Sequence, residues 1–178
     1  MKRLINAVLF QIVWFVCLLA GNVWALVATV MYLFLHDRYF MQTRKEWRLI
    51  AVFLLLGVMI DGSLFHIGVF SVETPGVSSM TSFSSAFPPI WLLCLWISVA
   101  TLFAHSLAFL RSRYALAAMM GMVGPTLSYF AGANLSGITL ATPIASTLLV
   151  VALIWSLVLP FGFYLAEKWS LFEEKGQK

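Results

Sequence analysis

LINAVLFQIVWFVCLLAGNVWALVATVMYLFL, residues 4–35, is the stretch on which the fold turns. Only Asn6, Gln11, Gly21, Asn22 and Thr29 interrupt its apolar character. It is far longer than the roughly 20 residues that carry one helix across a hydrocarbon core of about 30 Å. Two arrangements compete: one long tilted helix, or a hairpin of two helices turned at Gly21-Asn22. The flanking charges choose between them. Lys2 and Arg3 precede the stretch, and Arg38, Arg44, Lys45 and Arg48 follow it. Lys and Arg accumulate on the cytoplasmic side of a bilayer, and a single crossing would put these two groups on opposite sides. The hairpin keeps them together. A cleavable leader built from Lys2-Arg3 and Val23-Trp24-Ala25 is disfavoured, because it leaves too short an apolar run before His36 and breaks the same parity.

Extended along the chain, this rule predicts an all-α polytopic transmembrane helical bundle of six spans, with the N-terminus and C-terminus cytoplasmic. The spans fall at about 4–20, 22–36, 49–70, 90–110, 114–132 and 143–166, in a single membrane domain over 1–178 with a cytoplasmic tail at 167–178. All eleven Lys and Arg residues then lie on one side of the bilayer. Pro88-Pro89 supplies a helix-start signal for span four. Residues 71–89, Ser-rich and without Lys or Arg, read as a long outer loop. At 1.5 Å per residue the first two spans reach only about 25 and 22 Å, so local bilayer thinning is expected around them.

Composition excludes other classes. The chain is 62% hydrophobic and only 10% charged, against roughly a quarter charged in soluble domains, so it cannot hide its apolar surface in water. A net charge of +4 raises the question of nucleic acid, but the cations are scattered singly with no aromatic platform among them. No nucleic-acid partner is expected. The partners are the lipid bilayer and, because six short spans are few for a carrier, further copies in a homo-oligomer. There is no phosphate loop, no HExxH, no Cys/His metal spacing and no nucleophile elbow. Neither a cofactor nor a metal is therefore predicted, and enzymatic activity is left open. Cys17 and Cys94 sit in apolar runs and read as packing residues.

Asp61 is the one acidic side chain deep in a predicted span. A carboxylate near midplane costs at least about 2.5–3.5 kcal/mol on insertion scales, so it should face protein or water. With every cation outside the bilayer core, its partners should be His, amide, hydroxyl or water, and a protonated acid is the default state. Gly57 and Gly68 share its helical face and leave room for a neighbouring helix. His66 points about 140° away and reads as interfacial. In span four, Trp91, Cys94, Ser98, Thr101 and His105 recur every three or four residues and should turn inward. Trp96, Ile97 and Phe103 occupy the opposite face, suited to lipid or apolar packing. Gln11 should hydrogen-bond inside the bundle. Gly124, Ser128, Gly132 and Ser136 form a ladder of small residues for close helix contact. Pro125 frees the carbonyl of Gly121, for which the Tyr129 hydroxyl is a suitable partner. Pro160 predicts a kink in span six. The candidate intramembrane polar site is Asp61, His105, Gln11, Tyr129, Ser98 and Thr101.

The combination of Asn6, Leu9-Phe10-Gln11 and Trp14, then Asp61, then Pro89-Ile90-Trp91 with Trp96 and His105-Ser106-Leu107, then Gly124-Pro125 with Tyr129 and Ala131-Gly132 resembles a known family. It is a family of small six-span bacterial inner-membrane proteins described as a domain of unknown function, and the resemblance covers about residues 4–165. It implies a multi-pass protein of the bacterial inner (plasma) membrane and a shared interior cluster of Gln11, Asp61, His105, Pro125 and Tyr129. It implies no activity. Three classes stay open: a small proton-linked transporter or permease centred on Asp61; a membrane enzyme or accessory factor acting on lipid or another membrane-dissolved substrate, with His105 and Asp61 as acid/base candidates; and a non-catalytic membrane assembly subunit.

Overall fold

The computed structural model describes residues 1–72 and 87–172; residues 73–86 of the expected outer loop and 173–178 of the tail lie outside them. Among the described residues six α-helices make up the bundle: α1 Lys2–Leu19, α2 Gly21–Leu35, α3 Glu46–His66, α4 Ile90–Ala100, α5 Tyr114–Leu135 and α6 Ile144–Lys168. Four of them, α1, α3, α5 and α6, are long and apolar enough to cross a membrane. Their outer faces match that solvent. Leu4, Val8, Ile12, Phe15 and Leu19 form an exposed apolar stripe along α1, a surface that water would not tolerate at this extent.

The long opening stretch does break into a hairpin. Gly21 has φ +77°, a conformation that favours a residue without Cβ, and α1 and α2 fold back so that Asn6 near the start of one donates through Nδ2 to Tyr32 Oη near the end of the other (3.1 Å). α2 does not stop short, as the sequence suggests. A π-helical turn, His36–Phe40, continues it, which lengthens the second helical rod beyond the expected 22–36. α3 ends in a Schellman motif: Val69 N–H bonds to Leu64 O and Gly68 N–H to Phe65 O, with Gly68 at φ +75°. Gly68 is thus the stop signal of α3 and not a packing notch, as expected from its place on the Asp61 face.

Beyond that stop, β1 Phe70–Val72 pairs antiparallel with β2 Ile138–Leu140, with Ser71 opposite Thr139. This ribbon was not legible in the sequence; it gives the two chain ends after α3 and α5 partners for their backbone groups. Span four also differs from a single helix over 90–110. α4 ends at Ala100, and the chain continues in irregular turns to a short 3₁₀ turn at Ala108–Leu110. Non-helical backbone at this depth survives only where protein surrounds it, and Leu102, Phe103, Ala104 and His105 are all buried.

α4 is the central element. It packs on α3, α2 and α1, while α5 lies along α6. Trp96, expected to face lipid or apolar packing, is enclosed and stacks on Trp155 of α6 with ring centroids 4.5 Å apart. Phe103, on the same expected face, packs against Phe53 and Phe163. The Asn22 side-chain oxygen accepts the Trp91 N–H (3.1 Å), capping the start of α4 from α2. α6 runs unbroken through Pro160. α5 and α6 approach closely at Gly121, where an added Cβ would collide with the Trp155 carbonyl. The four-residue ladder lies elsewhere: Gly132 nears Leu18, and a Cβ on Gly124 would meet open space.

The basic segments meet at one end of the bundle. Asn6 accepts from Ser106, Glu46 bonds His36 and His105, Ser112 donates to Glu167, and Arg111 sits over the Phe172 ring. The Asn22–Trp91 cap and the ribbon join segments at the opposite end, and neither Ser71–Val72 nor Ile138–Leu140 carries a cation.

Candidate functional site

Asp61 lies fully buried on α3, four residues past Gly57. Gly57 is there because the indole of Trp96 lies across it; a Cβ would stand 2.6 Å from the ring. That seat brings Trp96 Nε1 to Asp61 Oδ2 at 2.7 Å. From α5, the Tyr129 hydroxyl donates to Asp61 Oδ1 at 2.8 Å and lies 2.9 Å from Oδ2. Both oxygens are occupied by donors, and neither donor is a cation. Hydrogen bonds contribute about 0.5–1.5 kcal/mol each to a neutral carboxyl and about 1.5–3 kcal/mol each to an ionised one, so the two donors offset part of the insertion cost of about 2.5–3.5 kcal/mol in the first case and all of it in the second. Tyr129 is spent on Asp61 and not on the Gly121 carbonyl, as its place after Pro125 suggests.

Beside this lock lies a cavity of about 480 Å³ between α1, α4 and α5, with Trp155 and Leu159 of α6 behind it. Phe10, Trp14, Leu18, Trp91 and Leu95 make most of one wall, and Gly124, Pro125 and Ala131 line the other. Gln11, Ser128 and Tyr129 are the polar side chains, indoles aside, that line it. Gln11, Gly124 and Leu127 are exposed while Trp96 and Trp155 are buried, so the cavity opens sideways, between helices whose outer faces are apolar. Trp14 Nε1 donates to Ser128 Oγ (2.7 Å) across the space between α1 and α5.

The sequence-derived residues therefore separate. Asp61 and Tyr129 meet; Gln11 and Pro125 line the adjoining cavity, with Gln11 exposed and, among the described residues, without the interior hydrogen bond expected of it. Ser98 Oγ returns to the Cys94 carbonyl of its own helix. Thr101 bonds Tyr32 at 2.6 Å and, through it, Asn6 and Ser106. His105 stands apart from Asp61. Its Nε2 is 2.9 Å from Glu46 Oε2, and His36 Nε2 reaches the same oxygen at 3.1 Å.

Residues 3–161 match the family described as Protein of unknown function (DUF2878). The chain belongs to that family. No curated protein and no solved structure matches it. Among the described residues of this DUF2878 chain the buried acidic and histidine side chains thus form two groups, the Asp61–Trp96–Tyr129 lock with its cavity and the His36–Glu46–His105 cluster toward the basic end, beside the Asn6–Tyr32–Thr101–Ser106 hydrogen bonds. Sequence reasoning missed His36 and Glu46. His36 and Glu46 are 10 residues apart and Glu46 and His105 are 59 apart, which gives no local motif. Depth was the available signal: His36 closes one apolar run, Glu46 precedes the next, and His105 lies just inside the basic end of its span.

Proposed function

We propose that this protein crosses the bacterial inner membrane six times with both termini cytoplasmic, and that it takes a lipid-like, membrane-dissolved molecule from the bilayer into the cavity between α1 and α5. One observation carries the binding reading: a cavity of ligand size, about 480 Å³ and apolar, opens sideways between lipid-facing helices. A molecule already dissolved in the bilayer reaches such a mouth without crossing water. Gln11, Ser128 and the Tyr129 edge supply polar contacts for a headgroup or other polar part, while the Trp-rich wall takes the apolar remainder. The gathering of the described basic segments at one end of the bundle supports the orientation.

This reading is favoured over a proton-linked permease. Asp61 is enclosed, and both of its oxygens are taken up by Trp96 and Tyr129, so it serves the cavity wall as a brace. The test is photo-crosslinking of the purified protein in bilayers containing a phospholipid with a diazirine in its acyl chain. Labelling is expected on peptides bearing Trp14 and Pro125, and Gly124→Phe, which fills open space, should abolish it while the protein still folds. Equal labelling in Gly124→Phe would overturn the reading. So would substrate uptake that depends on Asp61 and is indifferent to Gly124→Phe.

A further inference from the structure

Toward the basic end, three buried side chains from three separate elements converge. His36 opens the π-helical turn after α2, Glu46 opens α3, and His105 lies in the irregular stretch after α4. We propose that they form a binding site for a first-row divalent cation of the zinc or ferrous class, with His36 Nε2, His105 Nε2 and Glu46 Oε2 as ligands.

The donor geometry supports this. The oxygen stands 3.1 Å from one nitrogen and 2.9 Å from the other, and all three donor atoms lie within 4.8 Å of one another. Bonds of about 2.0–2.2 Å to a tetrahedral cation separate its ligands by roughly 3.3 Å, so a small outward adjustment admits the ion. The imidazoles meet edge to face, at 84° with centroids 4.9 Å apart, and do not stack.

The carboxylate is held in place from behind. Glu46 Oε1 accepts the Gln42 N–H at 2.8 Å and the Thr43 N–H at 3.4 Å, which fixes the plane and leaves Oε2 for the histidines, as outer-shell bonds do around metal ligands. Among the described residues Glu46 has no Lys or Arg partner; Arg44 pairs instead with Asp37. Buried charges are paired or coordinate metals, and a cation between the three ligands would give Glu46 its counter-charge. Among the described residues His36 Nδ1 is buried without a hydrogen-bond partner; a cation on Nε2 does not satisfy it, and a ligating histidine here needs a water on Nδ1 as its outer-shell partner.

Two imidazoles and one carboxylate suit zinc or ferrous iron and not magnesium, which prefers oxygen ligands. Three protein ligands leave a coordination position for water or substrate, as in catalytic sites. In the sequence His105 lies between Leu102 and Leu107, both of which line the cavity, so the site sits close behind one end of it. The inference does not depend on what occupies that cavity.

The full chain, carrying a tag without histidines, is purified in detergent, stripped with a chelator and re-exposed to Zn²⁺, Co²⁺, anaerobic Fe²⁺ or Mg²⁺. Bound metal is measured by mass spectrometry and Co²⁺ coordination by visible absorption. Wild type should retain zinc stoichiometrically and ignore magnesium. Glu46→Gln and His105→Ala should weaken affinity at least about 100-fold, beyond the effect of losing an outer-shell partner, whereas exposed His66→Ala and cavity-wall Gly124→Phe should bind as wild type. Zinc should also raise the unfolding temperature of the wild type relative to chelator, a readout independent of whether the variants fold. Failure of folded wild type to retain zinc, cobalt or iron, retention unaffected by Glu46→Gln and His105→Ala, or equal loss in His66→Ala would overturn the proposal.

Discussion

Replacing Gly57 by Ala adds one methyl group at the point where α3 and α4 touch, and its cost can be worked from the structure. The new carbon would stand 2.6 Å from Trp96 Cγ and 2.7 Å from Cδ1. Trp96 has nowhere to retreat, because it is stacked on Trp155 and packed near Phe53. Overpacking of this kind costs about 1–3 kcal/mol. A displaced indole also withdraws its N–H from Asp61, now 2.7 Å away, removing a bond to a carboxylate worth about 1.5–3 kcal/mol. Alanine returns about 0.5–1 kcal/mol of helix propensity. The net expectation is a loss of about 2–5 kcal/mol. Gly124→Ala is the control, since beyond its chain neighbours a Cβ there meets open space; Pro125 next in the helix disfavours a Cβ before it and offsets the gain of about 0.5–1 kcal/mol in helix propensity, so little change is expected. Unfolding in detergent can be followed with a thiol-reactive dye, because Cys17 and Cys94 are buried in the native state. The reasoning is refuted if Gly57→Ala unfolds no earlier than wild type, or if the two alanines have the same effect.

Two further outcomes are expected. Asn22→Ala should destabilise the bundle by about 1 kcal/mol in the same assay, because it removes the side-chain acceptor for Trp91 N–H at the start of α4; an unchanged midpoint would deny the cap its role. In cells expressing a background free of Cys17 and Cys94, Ser112→Cys should react with a membrane-impermeant maleimide only after the cytoplasm is opened, and Thr139→Cys should react in intact cells; labelling of both from one side would contradict the six-span arrangement.

Much of the helical architecture was legible because it depends on properties that sum along short stretches. Apolar length, Lys/Arg position and the Gly21 break act locally, and they anticipated the α1–α2 hairpin and six helices within a few residues at most ends. The misplaced features depend on something else. α4 stops at Ala100 because the following backbone is enclosed by other helices, and no propensity signals that. The ribbon between Phe70–Val72 and Ile138–Leu140 pairs segments distant in sequence, each too short to register alone. Trp96 read as fit for lipid or for apolar packing, and only the structure chose packing on Trp155, because helical periodicity reports which residues share a face, not how many neighbours surround the helix.

The sequence by itself determined a membrane protein of helices and the family to which it belongs, and it set Asp61 apart as an acidic side chain inside an apolar run that holds no Lys or Arg. Tertiary structure alone decided that Asp61 is held by Trp96 and Tyr129, that a sideways cavity lies beside them, and that His105 belongs with His36 and Glu46. The physical reason is common to all three. Charge and hydropathy act through the solvent and need no partner, so they can be read along the chain; convergence of side chains depends on how helices cross and where they break, and those are set by packing.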